Sequence, residues 1–256
     1  MMFISVLFLG LAFTPFNLAA PSPSKIDARV AGGSLSKPGE FPFFVATQRN
    51  GLYQCGGTLL NAHTVLTAAH CSINNPPANL TIRAGSMVQT CPGPKRASNS
   101  NSQLLAKHTL IPRFSLALWH LSTPIQVSDT IDYATIPAQG YDPPVGLKAT
   151  TAGWGYTTPD MTVPGPEVLR YVNVPVVSRQ ECSIYGQITS FEICAGGEEG
   201  KGSCPYDSGG PIWNAETKEI IGTVESGGGC GSKGVPIVYT NLGSMSDWVR
   251  NNSWSA

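Results

Sequence analysis

Short apolar and β-branched runs, separated by turn residues such as Asn-Gly and Pro, recur along most of the chain. Runs of this kind are typical of β-strands. The sequence predicts strands at residues 43–47, 57–60, 64–67, 170–177 and 220–224, and buried apolar positions at 116–119. Near the C-terminus, Met245, Trp248 and Val249 recur at helical spacing and predict a short amphipathic helix over residues 244–251.

Two polar stretches interrupt this pattern. Residues 91–107 contain a Ser- and Asn-rich run and predict an exposed loop, whereas residues 128–144 contain Pro and Gly and predict a connection between two halves of the chain. The second half begins near residues 149–155. The 28 glycines and 21 prolines fit short strands joined by many turns. We therefore expect an all-β fold with one terminal helix.

The first 20 residues predict a secretory signal peptide, because an apolar run is followed by the small residues Ala19 and Ala20. The positive charge that usually precedes such a run is absent. A membrane anchor is the alternative, but Pro15 and the shortness of the run argue against it, since a spanning helix needs about 20 apolar residues. We expect a soluble, secreted, extracellular chain that does not bind membranes.

Residues 21–29 form a short polar segment that ends in Arg29, and Val30 is followed by a small residue and two glycines. Cutting after Arg29 would give Val30 a free ammonium on a flexible tether. An ordinary linker is the alternative interpretation, and the segment alone favours neither.

Charge and cysteine content narrow the functional classes. The 16 basic side chains balance the 16 acidic ones, so the chain lacks the positive surface that nucleic acids or anionic membranes would require. An oxidising compartment favours disulfides, and the 7 cysteines leave one unpaired. Because no two cysteines have Cys-x-x-Cys spacing, we expect no metal site. No cofactor is predicted.

Two segments carry candidate chemistry. Residues 207–211 place Ser208 between Asp207 and Gly-Gly-Pro, which predicts a tight loop that presents the serine hydroxyl. A surface turn with an incidental hydroxyl is the alternative. His70 follows a predicted strand and precedes Cys71, which a bond to Cys55 would anchor. A serine and an anchored histidine are the parts of a nucleophilic site.

Together these segments resemble the chymotrypsin/trypsin-like serine protease family, over about residues 30–248. The resemblance rests on residues 29–33, 55–59, 66–71, 153–155, 192–196, 207–211 and 238–240. It implies a trypsin-like domain over residues 30–256, with two six-stranded antiparallel Greek-key β-barrels at roughly 30–135 and 136–243 and a cleft between them. The implied disulfides are Cys55–Cys71, Cys182–Cys194 and Cys204–Cys230, which leaves Cys91 unpaired.

The resemblance also assigns roles to residues. Residues 21–29 become a propeptide, and cutting after Arg29 frees the Val30 ammonium to pair with the Asp207 carboxylate and shape the site. Ser208 is the nucleophile and His70 the general base, and the backbone N–H groups of Tyr206 and Ser208 form the oxyanion hole.

The acid of the triad is missing. The family places Asp at the start of an Asp-Ile-Ala-Leu motif, where this chain has Ser115, and no acidic residue occurs between Glu40 and Asp129. In trypsin, replacing this Asp by Asn lowers turnover about 10⁴-fold. The segment before Ser115 is shorter than the family usually has, so a misread gene segment is an alternative explanation.

The rest of the site also departs from the family. Tyr206 replaces the oxyanion-hole glycine, and Gly202 replaces the pocket Asp that binds Lys or Arg. Ile237 replaces a pocket glycine, and the substrate-pairing edge carries Glu225, Ser226 and Gly227 instead of Ser-Trp-Gly.

Two functional hypotheses follow. In the first, the chain is a secreted, monomeric protease homologue with impaired catalysis that acts by binding a protein partner such as a protease inhibitor. In the second, it is a weak serine endopeptidase that cleaves a protein or peptide substrate with a His70/Ser208 dyad and is not specific for Lys or Arg.

Overall fold

The computed structural model describes residues 32–73, 75–89, 102–158, 160–162, 165–227 and 229–254. The strands are β1 (Ser34–Leu35), β2 (Phe44–Arg49), β3 (Leu52–Asn61), β4 (Thr64–Ala68), β5 (Leu80–Ala84), β6 (Ser102–Ile111), β7 (Leu116–Leu121), β8 (Lys148–Gly153), β9 (Arg170–Val177), β10 (Glu192–Gly196), β11 (Pro211–Asn214), β12 (Ile220–Ser226) and β13 (Pro236–Asn241). The α-helix is α1 (Leu242–Asn252), and short 3-10 helices lie at Ala69–Cys71, Pro77–Asn79, Pro112–Phe114 and Ser183–Tyr185. The all-β prediction is confirmed.

The first half of the chain forms a closed barrel of six strands in the order β2-β3-β4-β7-β6-β5. Every pairing in it is antiparallel, and β4 pairs with β7 from Thr64 to Ala68. Aliphatic side chains and Trp119 fill the barrel with no solvent exposure at Val45, Leu59 and Val65. Burying these apolar side chains is the main source of the barrel's stability.

The second half forms a seven-stranded sheet in the order β1-β9-β10-β13-β12-β11-β8. Strand β8 also pairs with β9, from Lys148 to Gly153, which joins the far edge of the sheet back to β9. Strand β1 comes from the start of the domain yet pairs with β9, so residues 34–35 belong to this sheet. Its core is again aliphatic.

Aromatic side chains fill the interface between the halves. Trp213 of β11 packs against Phe41 and Phe43, with ring centroids 4.8 and 5.4 Å apart. Trp154, just after β8, meets Phe44 of β2 edge-on at 5.3 Å. This apolar contact holds the two halves together beside the functional cleft.

The three disulfides implied by the resemblance are present: Cys55–Cys71, Cys182–Cys194 and Cys204–Cys230. Each bridges residues of the same half. The predicted leader, Arg29, Val30 and Cys91 lie outside the described residues. Within the described part of the chain, no helix is long and apolar enough to cross a membrane.

Two sequence predictions need correction. The exposed loop predicted for residues 91–107 is wrong from Ser102 onward, because β6 begins there and pairs its backbone with β5 and β7 in spite of the polar composition. Helix α1 is longer than predicted and starts at Leu242, since the Asn241 side chain accepts a hydrogen bond from the N–H of Gly243 at 3.0 Å and caps it.

Candidate active site

His70 lies in the 3-10 helix that follows β4, where two links fix its position. The neighbouring Cys71 is bonded to Cys55 of β3. The N–H of Ala69 donates to the carbonyl of Ser115 at 3.0 Å, which ties the helix to the chain just before β7. The imidazole is therefore held by a disulfide on one side and a backbone hydrogen bond on the other.

Ser115 occupies the place beside the imidazole. Its hydroxyl Oγ lies 3.3 Å from His70 Nδ1, and its backbone has the left-handed values of φ 48° and ψ 35° at the end of the Pro112–Phe114 turn. No carboxylate among the described residues hydrogen-bonds His70. Burial lowers the pKa of His70 below its ordinary value. The site thus disfavours the imidazolium that a triad carboxylate would stabilise.

Ser208 lies in a loop whose backbone is tightly bonded. Its carbonyl accepts from the N–H of Gly56 in the first barrel at 2.9 Å. The N–H of Asp207 donates to the carbonyl of Cys204 at 3.0 Å, and Cys204 forms a disulfide with Cys230. Within the described residues, the N–H groups of Tyr206 and Ser208 have no acceptor. An oxyanion hole requires two donors without a protein acceptor, and both N–H groups meet this condition.

His70, Tyr206 and Ser208 line one cleft of about 610 Å³. Arg49 of β2 and Tyr53 and Gln54 of β3 also line it. The predicted nucleophile and base therefore come together from different halves of the molecule, as the resemblance implied. Although His70, Cys55 and Cys71 offer donor atoms within 4.8 Å of one another, the two sulfurs are joined in a disulfide and are not free thiolates for a metal.

Comparison with known proteins identifies the family. The family model named Trypsin matches residues 30–249. The chain is 33% identical to Trypsin alpha of Drosophila melanogaster over 232 residues, which cover 88% of each chain. It is also 33% identical to Trypsin beta of Drosophila erecta over 236 residues, covering 90% of each. The chain belongs to the trypsin family.

The Asp207 carboxyl group, which the resemblance would pair with a new N-terminus at Val30, is deeply buried. Asp207 is 1% exposed and accepts hydrogen bonds from the N–H groups of Gly155 at 2.7 Å and Cys204 at 2.8 Å. Burial raises its pKa to about 7 in spite of these donors. No described Lys, Arg or His side chain forms an ion pair with it. The carboxyl group lacks a positive partner among the described residues.

Ile237 lies among the residues that the sequence analysis assigned to the substrate pocket. The side chain is 2% exposed, and a Cβ built on Gly227 would lie 2.7 Å from its Cδ1 atom. A Cβ on Gly202 would lie 3.7 Å from its Cγ1 atom. The isoleucine thus fills the space between residues that the sequence assigned to the substrate pocket, and Ser226 lies exposed beyond it.

The Glu225 side chain contacts the protein itself, although its position in the sequence suggested a role in substrate pairing. Its Oε2 atom is 3.4 Å from the Thr240 hydroxyl, which also donates to the carbonyl of Phe114 at 2.9 Å. Burial and the nearby Glu192 carboxylate raise the pKa of Glu225. The carboxyl group therefore lies on the protein side of strand β12, next to the residue that precedes Ser115.

Sequence reasoning missed Tyr53 as a part of the site. Its hydroxyl donates to the carbonyl of Tyr206 at 2.9 Å across a sequence separation of 153 residues. A tyrosine two positions before Cys55 carries no motif, and only the folding of β3 against the serine loop brings it there. The sequence offered no signal for this contact.

Proposed function

We propose that this trypsin-family chain is a secreted protease homologue with impaired hydrolysis, which acts by binding a protein partner. The observation that supports this most directly is the Ser115 hydroxyl beside His70 Nδ1, at 3.3 Å. A hydroxyl fixes the orientation of the ring but supplies no negative charge. In trypsin itself, replacing the triad Asp by Asn, which leaves the imidazole in the wrong tautomer, lowers turnover about 10⁴-fold.

The filled pocket supports the same proposal. Efficient proteases use binding energy from the substrate side chain to orient the scissile bond, and Ile237 takes up that space. The cleft of about 610 Å³ on the other side of Ser208 stays open for a partner. An inhibitor of active proteases is one partner that would fit a trypsin-like surface with low activity. Disulfide use and the predicted leader support secretion.

A labelling experiment tests the impairment. Residues 25–29 are replaced by the recognition sequence of a specific processing protease, so that cutting leaves Val30 as the N-terminus. A small fluorophosphonate, which needs no pocket, then reports the reactivity of Ser208. We expect slow labelling, and acceleration of about 10²–10⁴-fold in Ser115→Asp, because a carboxylate at this position would stabilise the imidazolium. Asp tolerates the left-handed backbone at this position.

His70→Ala and Ser208→Ala serve as controls and should abolish labelling in both chains. Labelling of the unaltered chain as fast as Ser115→Asp would contradict the impairment, since the carboxylate would then add nothing.

The alternative function is a weak endopeptidase, and the free N–H groups of Tyr206 and Ser208 favour it. A His70/Ser208 pair with working oxyanion donors retains part of the catalytic power of a triad. Cleavage of a mixed peptide library by the processed chain, abolished in Ser208→Ala, would support this function. With Gly202 in the pocket, we expect no preference for Lys or Arg.

A further inference from the structure

The backbone of Tyr206 has an unusual conformation. Its φ is 77°, in the left-handed region that glycine favours and that a bulky side chain enters only at a cost in free energy. Such a conformation persists when the surrounding structure over-determines it. Residues of both halves of the molecule surround Tyr206.

Tyr53 supplies one restraint. Its hydroxyl donates to the Tyr206 carbonyl at 2.9 Å, and its ring is held edge-on against Trp154 with centroids 5.5 Å apart. The same peptide unit is restrained on its other side, because the N–H of Asp207 donates to Cys204 at 3.0 Å. The peptide plane that follows Tyr206 is therefore bonded at both its oxygen and its nitrogen.

Tyr156 supplies the second restraint. Its ring packs against the Tyr206 ring with centroids 5.3 Å apart and planes tilted by 53°. The N–H of Tyr156 donates to the carbonyl of Pro205 at 2.8 Å, which fixes the ring relative to the serine loop. The Tyr206 side chain is held against this ring with 47% of its surface exposed.

We propose that Tyr53 and Tyr156 are positioning residues that hold Tyr206 in the left-handed conformation, so that its N–H remains an oxyanion donor without the usual glycine. The sequence alone predicted that Tyr206 would weaken the oxyanion hole. In the structure, its N–H has no acceptor among the described residues and is free to bind a developing oxyanion. The inference rests on the proposed function only in taking Ser208 as the reactive hydroxyl.

A double-mutant cycle tests the coupling in the processed Ser115→Asp chain. The four chains carry Tyr53→Phe, Tyr206→Gly, both, or neither. Tyr206→Gly keeps the backbone N–H and is the reference chain in which residue 206 reaches positive φ without help, so we expect from it no acceleration of labelling near 100-fold. With tyrosine at 206, Tyr53→Phe should lower the labelling rate about 10-fold, which is part of the 10²–10³-fold that a lost oxyanion donor costs. With glycine at 206, Tyr53→Phe should leave the labelling rate unchanged, because glycine adopts positive φ unaided.

The matched control is Tyr133→Phe, because the Tyr133 hydroxyl also donates to a backbone carbonyl, that of Ile125 at 2.8 Å, away from the cleft. It should lower the melting temperature like Tyr53→Phe and leave labelling unchanged. Tyr156→Leu should slow labelling in the same direction as Tyr53→Phe. For Tyr53→Phe and Tyr156→Leu with tyrosine at 206, the bond-forming rate constant should fall while the reversible affinity for the probe stays constant, because only oxyanion binding is affected.

Four results would overturn the inference. Acceleration of about 100-fold by Tyr206→Gly would mean that the tyrosine does disable the donor. Equal effects of Tyr53→Phe with tyrosine and with glycine at 206 would mean that the hydroxyl does not act through the conformation of residue 206. Absence of labelling in both Ser115→Asp parents, with tyrosine or with glycine, would contradict the inference and the proposed cause of impairment together, whereas labelling with glycine alone would contradict only the inference.

Discussion

The size of one side chain, Ile237, would decide whether the proposed substrate pocket is open. Ile237 of β13 is nearly fully buried and lies against Gly227, so it acts as part of the core of the second sheet. The same atoms take up the volume that a substrate side chain would need. Stability and substrate binding therefore compete at this position.

Ile237→Ala should show both effects. We expect the free energy of unfolding to fall by about 2–5 kcal/mol, the usual cost of truncating a buried isoleucine. In the processed Ser115→Asp chain, a peptide phosphonate with Ala at the pocket position should gain about 10-fold in rate over one with Gly. Ile212→Ala, a buried isoleucine of the same sheet, is the control and should lose stability without the gain. Equal selectivity in both variants would mean that Ile237 does not fill the pocket.

At the residue scale, the sequence predicted the parts of the site that depend on local chemistry. Ser208 stands in a loop with the residues Gly-Gly-Pro, and His70 stands in a 3-10 helix that the Cys55–Cys71 disulfide holds in place. Tyr53 and Glu225 were different, because their contacts with Tyr206 and Thr240 depend on strand packing between distant segments. No local pattern encodes such contacts.

At the element scale, the sequence predicted β9 and parts of β2, β3, β4 and β12, but it did not predict buried apolar strands such as β11 and β13. Strand β9 was predicted with its observed bounds, since its buried and less buried positions alternate from Arg170 to Val177. Strands β5 and β6 were missed, because backbone pairing inside a closed barrel needs no strong pattern from every member. Hydrogen bonding to neighbouring strands stabilises β5 and β6, for which the local sequence has no strong strand pattern.

The Asn241 side chain caps and stabilises the first turn of helix α1. This buried side chain accepts a hydrogen bond from the Gly243 N–H at 3.0 Å. Its amide group donates to the carbonyl of Ser190 at 3.0 Å and to Oδ1 of Asp142 at 3.2 Å. Asn241→Ala should lower the free energy of unfolding by about 2–3 kcal/mol, from the lost cap and the groups left unpaired. Urea unfolding measures this. Asn252→Ala, at the far end of α1, should cost under about 1 kcal/mol, and a similar loss in both would contradict the capping role.

At the scale of the whole molecule, the buried Asp207 couples folding to pH. Its pKa is about 7 in the folded chain and ordinarily 3.8, so the folded state binds more protons than the unfolded state between these values. Stability from this group is then greatest below about pH 4 and falls as the pH rises toward 7, by on the order of 4 kcal/mol. A positive partner would remove this loss.

Cutting after Arg29 should supply that partner if the Val30 ammonium reaches Asp207. We expect an uncut chain, blocked by Arg29→Gln, to lose stability between pH 4 and 7 relative to the cut chain. The Arg179 hydrogen bond lowers the pKa of Asp142, so Asp142 contributes a pH dependence of stability opposite to that of Asp207. Only the difference between the cut and uncut chains is therefore compared. Asp207→Asn should flatten the difference. Equal pH dependence of the cut and uncut chains would contradict the pairing.

The hydrogen bond between the Gly56 N–H and the Ser208 carbonyl affects which residues such a chain keeps during evolution. The backbone of the serine loop connects the barrel of the first half to the second half, and the Asp207 side chain accepts hydrogen bonds within the second half. A lineage that no longer hydrolyses peptides would still need this loop in order to fold. Persistence of the Asp-Ser-Gly-Gly segment among descendants would therefore record selection for a stable scaffold and would not reveal whether catalysis survives.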